Sequence, residues 1–263
     1  MGDSINIQIV LYEPEQTSLG TFIDCLLDLE IPAETTVNVL IGDCSEKPVD
    51  TEKLEQWNAA FSERSLPLTY KHFGENIGFG AGHNRLSQAA EADHLLILNP
   101  DTAFASDLLS RLQGFAKSKA DYGMVEARQY PLEHPKDWNQ ETTTTEWCSC
   151  CCVLVNGSAY RQVGGFDETF FLYCEDVDLS WRIRALGKQT YFCADAGVYH
   201  RKQLTEIGIE TSQSEKIYGL SSLMLLLKKY GETKSLAELK SALNERGEDE
   251  VKQALQIFEK TQG

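Results

Sequence analysis

Five carboxylates are concentrated in the segment 164–187, G-G-F-D-E-T-F-F-L-Y-C-E-D-V-D-L-S-W-R-I-R-A-L-G, where they lie among aromatic residues. Solubility alone does not require acidic side chains in such a place. A carboxylate held rigidly at a helix start can take a proton from a substrate hydroxyl, so Glu175 and Asp176 are the best candidates for acid–base chemistry. The alternative is helix capping, with an ion pair between Asp178 and Arg182. Both interpretations can hold at once.

Polar side chains follow several apolar runs that are predicted to be strands. Tyr12 and Glu13 follow the first run, and Asp43 follows the second. The segment Asn99-Pro100-Asp101 follows the fourth, and His200 ends a late V-Y-H run. In an open parallel sheet, ligands bind beyond the carboxyl ends of the strands. The sequence therefore predicts that these side chains share one edge of a sheet.

Asp101 and His200 are ambiguous when each is considered alone. An ionised carboxylate at a strand end, with Pro100 in front of it, is a natural ligand for a hard divalent ion. An aspartate in N-P-D-T also forms turns or caps helices. A single histidine between Tyr199 and Arg201 is more often structural than a metal ligand. The residues by themselves leave both alternatives open.

The glycine-rich segment 76–84, N-I-G-F-G-A-G-H-N, allows close approach of the backbone to a ligand and opens a predicted helix whose N-terminus favours an anion. Its spacing differs from the G-x-G-x-x-G dinucleotide fingerprint, and the chain contains no G-x-x-x-x-G-K-[ST] loop. A nicotinamide-dependent oxidoreductase and a P-loop ATPase are therefore disfavoured.

Eight cysteines are present, four of them in the run C-S-C-C-C. Since no secretion signal precedes them, reduced thiols are favoured over a disulfide scaffold. A metal or redox site at Cys148–Cys152 is the alternative, but the run lacks a second thiol pair at zinc-finger spacing. It opens an apolar stretch, C-S-C-C-C-V-L-V, in which cysteine can pack as a small hydrophobic residue. We therefore expect these thiols to be buried.

The composition is that of a globular protein without an intrinsic affinity for polyanions. Its 263 residues are 42% hydrophobic and 24% charged, enough for one α/β domain with an appendage. The formal charge of -16 argues against nucleic acid as a partner. The N-terminus lacks a basic and apolar leader, and no apolar stretch is long enough to cross a bilayer. We expect a soluble, cytoplasmic protein.

Short apolar runs alternate with longer amphipathic ones in the first half of the chain, a rhythm typical of βαβ units. Parallel strands joined by crossover helices are expected from it. Strands are predicted over 5–11, 36–41, 67–70, 94–98 and 122–127, and helices over 19–29, 51–61, 79–90 and 106–118, the last capped by Ser106.

The second half predicts a polar loop over 129–146, strands over 147–155 and 189–194, and a helix from Glu175 to a stop at Gly187. Further helices are predicted over 212–230 and 235–260, the latter broken near Arg246-Gly247. Their mixed charges favour helices that pack together and face solvent over a membrane or partner surface. We expect an α/β domain over 1–210 and a helical extension over 211–263.

Taken together, the motifs resemble the large family of inverting, nucleotide-sugar-dependent glycosyltransferases with the GT-A fold. The resemblance is to the bacterial branch that includes rhamnosyltransferases of cell-surface polysaccharides, and it spans Ile5 to about His200. The matching segments, in order, are I-V-L-Y-E, I-G-D-C-S, N-I-G-F-G-A-G-H-N, L-N-P-D-T, the segment 164–187 and V-Y-H. The resemblance implies a Rossmann-like α/β fold with a mixed, mainly parallel sheet flanked by helices, and a helical C-terminal tail.

The resemblance also assigns roles to individual residues. Asp176 would be the catalytic base, while Asp101 and His200 would hold Mn²⁺ or Mg²⁺. Asp43 would hydrogen-bond the pyrimidine of the donor. The set implied for the nucleotide sugar is Tyr12, Asp43, Asn76, Gly78, Asn84 and Asn99, and the set implied for the acceptor is Asp167 and Glu175.

The implied reaction moves a sugar from a UDP- or dTDP-sugar to a hydroxyl of a glycan or lipid-linked glycan in surface polysaccharide biosynthesis. Glu13, Cys44 and Lys47 depart from the residues usual in the family, so the base of the donor is not fixed. The same departures keep a non-catalytic sugar-nucleotide or glycan-binding module as the alternative. Homo-oligomerisation and peripheral contact with the inner face of a membrane stay open.

Overall fold

The computed structural model describes residues 2–201, 204–205, 208–209 and 212–261. Its strands are β1 (Asp3–Leu11), β2 (Thr35–Asp43), β3 (Leu68–His72), β4 (His94–Leu98), β5 (Thr102–Phe104), β6 (Tyr122–Tyr130), β7 (Cys152–Asn156), β8 (Gln189–His200), β9 (Leu204–Thr205) and β10 (Gly208–Ile209). Its helices are α1 (Gln16–Leu27), α2 (Thr51–Glu63), α3 (Phe79–Ser87), α4 (Leu108–Lys117), α5 (Gly157–Gln162), α6 (Glu175–Ala185), α7 (Gln213–Lys229), α8 (Thr233–Arg246) and α9 (Asp249–Lys260).

The main sheet of the described residues is mixed and mainly parallel, with the strand order β3-β2-β1-β4-β7-β6-β8-β5. Strands β1 to β4 run parallel to one another, and β6 runs parallel to β8. β7 is antiparallel to both β4 and β6, which therefore share a direction. The predicted α/β architecture is confirmed. The carboxyl ends of β1, β2, β4, β6 and β8 all reach one edge of the sheet, which we call the site edge.

The central strand β1 is covered on both faces. Successive side chains of a strand point to opposite sides. Ile5, Ile7 and Ile9 are fully buried in a core with α1 and α4 residues. On the other face Gln8 is also fully buried, and its amide hydrogen-bonds to residues of α3. A sheet buried on both faces explains why its strands are almost continuously apolar.

The strand predicted over 147–155 begins five residues later, at Cys152. The preceding residues are irregular because their amides donate hydrogen bonds to side chains instead of to a neighbouring strand. Cys148 N–H donates to Ser180 Oγ at 3.0 Å, and Ser149 N–H donates to Glu126 Oε2 at 2.6 Å. We call residues 147–151 the thiol segment. It lies at the site edge, directly before the antiparallel strand β7.

Two other local predictions also differ from the structure. Helix α4 begins at Leu108, and Ser106 does not cap it, because the Ser106 hydroxyl donates to Glu30 Oε1 at 2.8 Å. The late strand does not stop at residue 194 but continues as β8 to His200, paired with the short, unpredicted strand β5. This extra pairing has a consequence for the site, because β5 directly follows Asp101.

Helices α7, α8 and α9 form the predicted C-terminal tail and pack around their own apolar cluster, which includes Met224, Leu243 and Phe258. Helix α7 is also tied to the sheet domain, since Ser222 Oγ donates to Leu172 O at 2.8 Å. The predicted domain boundary at residues 210–211 lies outside the described residues. Within the part of the chain that the structure describes, each helix is too short or too polar to span a bilayer.

Candidate functional site

The start of α6 presents Asp176 at the site edge. The two residues before the helix, Tyr173 and Cys174, both have positive φ angles, 68° and 62°. Consecutive non-glycine residues in this region are uncommon and occur where a functional turn is held by its surroundings. Asp176 Oδ1 accepts a hydrogen bond from the Val177 amide at 2.8 Å. The carboxylate is thereby held at the helix N-terminus.

Glu175 and Asp176 form a pair of acids with different environments. Burial is the main cause that raises the pKa of Asp176, and it is opposed by the amides of Val177 and Cys150 and by the Lys136 ammonium. Burial, followed by the Asp176 charge, raises the pKa of Glu175 well above its usual value. Glu175 Oε2 is buried without a hydrogen-bond partner among the described residues. Asp176 is therefore the better candidate for the ionised base, with Glu175 as a neutral acid.

Asp101 and His200 come together because β5 pairs with the end of β8. Thr102 lies opposite His200 in that pairing, and the Arg201 amide donates to Asp101 O at 3.0 Å. Asp101 Oδ2 consequently lies 3.2 Å from His200 Nε2. The Asp101 side chain is 44% exposed, whereas that of His200 is 14% exposed. The Asp101 carboxylate is therefore accessible to solvent, while the His200 imidazole is largely buried.

The contacts of the His200 ring are compatible with a bound cation. Gln129 Oε1 lies 3.0 Å from His200 Nδ1, and Gln129 Nε2 donates to Ser149 Oγ at 3.1 Å. In the tautomer with the proton on Nδ1, the imidazole donates to Gln129 Oε1, and Nε2 presents a lone pair toward the Asp101 carboxylate. Two electron-rich atoms at this separation require a proton or a metal ion between them. The pair therefore suits Mn²⁺ or Mg²⁺.

Among the described residues, no group of three or more His, Cys, Asp and Glu side chains could hold a metal ion. The chain would thus supply two ligands, Asp101 and His200. This is the usual arrangement for ions that keep several waters and bind substrate phosphates, since one or two protein ligands then suffice. Asn99, two residues before Asp101, is held by its backbone, because its amide donates to Cys151 O at 2.9 Å.

Asp43 lies at the end of β2 and is 1% exposed. Its Oδ1 accepts from the Ser45 amide at 2.9 Å, and its Oδ2 accepts from the Tyr70 hydroxyl at 2.5 Å. Tyr70 in turn accepts from the Val49 amide at 2.8 Å. Each carboxylate oxygen keeps a further lone pair for a ligand. These bonds fix the orientation of Asp43 and shape the loop that follows it.

A cleft of about 590 Å³ adjoins Asp43 and is lined by residues of the loops after β1 and β2. Its walls include Glu13, Ser45 and Lys47. Glu13 adopts a positive φ of 43°, and its amide donates to Ser45 Oγ at 2.8 Å, which joins the two loops. Clefts of this size accommodate small ligands such as a nucleoside. Tyr12, which precedes Glu13, is 54% exposed.

The glycine-rich segment packs against the segment 164–187. Gly78 has a φ of 85°, and an added Cβ would lie 2.3 Å from Phe171 O, so only glycine fits there. Asn76 Oδ1 accepts from the Gly78 amide at 3.1 Å. Asn84 binds Phe166 through both its amide and carbonyl groups and also contacts Tyr160 and Glu168. The roles of Asn76, Gly78 and Asn84 in donor binding stay predictions.

Asp167, a predicted acceptor contact, is paired with the C-terminal helices. Its Oδ2 accepts from Lys229 Nζ of α7 at 2.6 Å, and its Oδ1 accepts from the Thr169 hydroxyl. Lys229 also contacts Asp178 at 2.6 Å. Asp178 further pairs with Arg182 at 2.7 Å, as predicted for the helix. The acceptor role of Asp167 stays a prediction, and this cluster connects α7 to the start of α6.

The cysteines of the thiol segment and of β7 are buried, as expected from the apolar run. Cys148, Cys150, Cys151 and Cys152 are all at most 4% exposed. Burial raises the pKa of the Cys148 and Cys150 thiols well above the usual value. A buried thiol with a raised pKa is a poor nucleophile and a poor metal ligand.

The buried cysteines should therefore resist modification in the folded protein. We expect Cys148, Cys150 and Cys152 to react with N-ethylmaleimide at pH 7 at least about 100-fold more slowly than in urea-unfolded protein. The half-buried Cys25 is the internal comparison. Peptide mass spectrometry after timed quenching measures each site. Rapid labelling of Cys150, or zinc or iron in the purified protein, would contradict the packing interpretation.

Several residues that support the site were not identified from the sequence. They include Tyr70, which holds Asp43, and Gln129, which orients His200. Glu126 and Lys136 form a buried ion pair behind the thiol segment. The presence of glutamate inside the apolar run Y-G-M-V-E-A-R was a detectable signal, because a buried strand carries an acid only where a partner compensates it.

Comparisons with known proteins show the family of the chain. A family model described as glycosyl transferase family 2 matches residues 9–180. An N-acetylglucosaminyl-diphospho-decaprenol L-rhamnosyltransferase of Mycobacterium tuberculosis is 48% identical over 249 residues, covering 77% of each chain. The rhamnosyltransferase WbbL of Escherichia coli is 28% identical over 155 residues, which cover 43% of this chain and 58% of WbbL.

Solved structures share the fold at low sequence identity. A mannosyltransferase of Pyrobaculum calidifontis, in complex with GDP-Man and Mn²⁺, superposes with a TM-score of 0.67 at 14% identity and covers 98% of this chain and 74% of its own. TarS of S. aureus, residues 1–349 in complex with UDP-GlcNAc, gives a TM-score of 0.60 at 14% identity, covering 90% and 71%. At these identities the likeness concerns the fold alone, which is the GT-A fold.

Proposed function

Because the chain belongs to glycosyl transferase family 2, and is thus a glycosyltransferase, we propose that it transfers a sugar from a UDP- or dTDP-sugar to a hydroxyl of a lipid-linked glycan, with inversion and with a divalent metal ion. L-rhamnose is the sugar that we propose first. The observation that carries the mechanism is the common position of three groups at the site edge: Asp176, the Asp101–His200 pair and the cleft at Asp43.

The choice of sugar and acceptor is supported by the relatives. The names of the Mycobacterium tuberculosis and Escherichia coli proteins both specify rhamnosyl transfer, and the first name also specifies a diphospho-decaprenol acceptor. The first relative aligns over 77% of this chain and 77% of its own length. A lipid-linked acceptor would place the reaction at a membrane surface, and we propose the cytoplasmic face. The carrier lipid and the position of the attacked hydroxyl are left open by this proposal.

The transfer step requires a base on the acceptor side. In our proposal Asp176 takes the proton of the acceptor hydroxyl while that oxygen bonds to the anomeric carbon and the bond to the diphosphate breaks. The Val177 amide holds Oδ1 at 2.8 Å, which leaves Oδ2 for the hydroxyl. Burial raises the pKa of Asp176, and a less acidic carboxyl is a stronger base. Glu175, neutral beside it, can donate a hydrogen bond to the acceptor.

The leaving diphosphate requires positive charge. Asp101 Oδ2 and His200 Nε2 would hold Mn²⁺ or Mg²⁺, which supplies Lewis-acid stabilisation of the charge that develops on the diphosphate. Gln129 Oε1, 3.0 Å from Nδ1, would favour the tautomer with the proton on Nδ1, which leaves Nε2 for the ion. Asp43, fixed by Ser45 and Tyr70, would accept a hydrogen bond from the N3–H of uracil or thymine, a group that both bases share.

A donor screen tests the proposed function. We expect release of UDP or dTDP from one of the UDP- and dTDP-sugars, dTDP-L-rhamnose among them, when a polyprenyl-diphosphate-linked N-acetylglucosamine and Mn²⁺ are supplied. The release should stop when EDTA is added and resume with excess Mn²⁺. Calorimetric binding of a donor without release on any acceptor would favour the non-catalytic module.

A further inference from the structure

Glu126 places a carboxylate in the middle of the buried strand β6, where it is 0% exposed. An acidic group in such a position destabilises the fold unless it is paired. Its Oε2 forms an ion pair with the ammonium of Lys136. Lys136 lies in the loop after β6, and its side chain is 6% exposed. Oε2 also accepts from the Ser149 amide at 2.6 Å, whereas Oε1 has no partner among the described residues.

The two members of this pair hold the thiol segment at separate points. Lys136 Nζ donates to Trp147 O at 2.8 Å and lies 4.2 Å from the centroid of the Trp147 ring. Glu126 holds the same segment at the amide of Ser149. A chain without regular secondary structure is thus fixed by charge-assisted hydrogen bonds, which are stronger and more directional than neutral ones.

The thiol segment touches the groups on both sides of the site. On the acceptor side, the Cys148 amide donates to Ser180 Oγ at 3.0 Å, and that hydroxyl donates to Asp176 O at 2.7 Å. On the metal side, Ser149 Oγ accepts from Gln129 Nε2 at 3.1 Å, and Gln129 contacts His200. A displacement of the thiol segment would therefore move the first turn of α6.

We propose that Glu126 and Lys136 are positioning residues for sugar transfer: they hold the thiol segment in place, which fixes Asp176, and the Lys136 ammonium supplies the positive charge behind this carboxylate. The reaction part of this inference rests on the proposed function. Neither residue touches the reacting atoms, so both act through Asp176. The ion pair itself is a feature of this chain, formed by a strand residue and a loop residue ten positions apart.

The charges around Asp176 determine the expected pH dependence. Glu175 and Cys174 face it from the start of α6, Cys150 from the thiol segment, and Lys136 from the loop. Of these, Lys136 is the cation, and it lowers the pKa of Asp176 against the effect of burial. Glu126 lies beyond Lys136, and burial raises its pKa to about 7. Without the ammonium, Asp176 would hold its proton to higher pH. The fall of kcat at acid pH, which we call the acid limb, would then begin at a higher pH.

The test uses the single variants Lys136→Met and Lys136→Arg and a double variant that combines Glu126→Gln with Lys136→Met. The single variant Lys117→Met is the control. Lys117 also pairs with a carboxylate, Asp3 at 2.9 Å, at the opposite edge of the sheet. We expect Lys136→Met to lower kcat on the order of 10- to 100-fold, because small displacements of a reacting group have effects of this size. KM for the donor should change little, and the acid limb should move to higher pH. Lys136→Arg should restore most of kcat, and Lys117→Met should leave all three quantities unchanged.

The double variant tests a purely structural role. The double variant leaves no uncompensated charge in the buried site, so this protein should fold even where Lys136→Met does not. It still lacks the ammonium, so kcat should stay low and the acid limb should stay shifted. If the double variant regains the parent kcat and pH profile, the pair is a structural ion pair only and the proposal is overturned.

A measurement without substrates separates this proposal from the proposed function. If the pair holds the thiol segment, Lys136→Met should increase the rate of maleimide labelling at Cys148 and Cys150 by about tenfold or more at a temperature well below the Tm of both proteins, because local opening exposes them. Unchanged labelling would overturn the positioning role even in an active enzyme. If the parent protein releases no nucleotide from any donor, the proposed function and the reaction part of the inference fail, while labelling still decides whether the pair holds the segment.

Discussion

Asp176→Asn is expected to lower the rate of sugar transfer by a factor on the order of 10³, the middle of the range that a positioned acid–base residue contributes. Asparagine keeps the size of the side chain, and its carbonyl can still accept from the Val177 amide, which lies 2.8 Å from Oδ1. It cannot take the proton of the acceptor hydroxyl. Donor affinity should change little, because Asp176 faces the acceptor in the proposed mechanism. Initial rates of nucleotide release and calorimetry with the donor measure both quantities.

The pH dependence of the parent protein gives a second measurement of the same group. Burial raises the pKa of Asp176, and the base works only when ionised. The value of kcat should therefore fall about tenfold per pH unit below that pKa and level off above it. In Asp176→Asn the residual rate should lack this acid limb. An Asp176→Asn protein that transfers sugar at the parent rate would show that the base is another group.

Glu175→Gln is the matched control for Asp176→Asn, since it changes the adjacent carboxyl in the same way. Burial holds the pKa of Glu175 well above its usual value, so a neutral glutamine resembles the state already present. The loss in kcat should stay far below the ~100-fold minimum for an acid–base residue.

The effect of Glu175 on the pH dependence of stability has a definite sign. The folded state holds this proton more tightly than the unfolded state, so the free energy of unfolding falls as pH rises from about 4.3 toward the raised pKa. Glu175→Gln should remove the contribution of Glu175 to that dependence, while the contributions of Asp176 and Glu126, whose pKa values are also raised, remain.

The common position of the candidate site residues at one edge of the sheet could be predicted because these residues have local sequence contexts. Asp43 and Asp101 each follow an apolar run, and parallel strands bring such ends to one edge. Asp176 follows an aromatic turn and lies in the first turn of α6, which ends at Ala185, two residues before the stop predicted at Gly187. In each case a few neighbouring residues determine the element, and the topology of the sheet brings the elements together.

The supporting contacts could not be predicted because they join residues that are distant in sequence. Tyr70 reaches Asp43 across the pairing of β2 and β3, and Lys136 reaches Glu126 from a loop that shows no periodicity. The thiol segment was predicted as a strand because its apolar pattern is typical of one. Side chains of other elements accept from its amides, which the pattern of the segment itself does not indicate.

Asp101→Ala is expected to weaken binding of Mn²⁺ in the presence of UDP or dTDP and to reduce transfer on the order of 100-fold or more. The carboxylate lies 3.2 Å from His200 Nε2, and these two atoms are the protein ligands in the proposed site. Loss of either leaves one protein ligand and the diphosphate. His200→Asn should have an effect of the same kind, because it removes the imidazole that Gln129 orients.

The control for this prediction is Asp249→Asn, which alters an exposed carboxylate paired with Lys252 on α9, one of the C-terminal helices. Electron paramagnetic resonance of free Mn²⁺ measures the affinity without turnover, so the result does not depend on the acceptor. Excess Mn²⁺ should restore part of the Asp101→Ala rate, because a weakened site is filled at higher concentration. If Asp101→Ala binds Mn²⁺ with the nucleotide as tightly as the parent and Asp249→Asn do, the metal lies elsewhere, and the close approach of Asp101 to His200 is then a protonated ion pair.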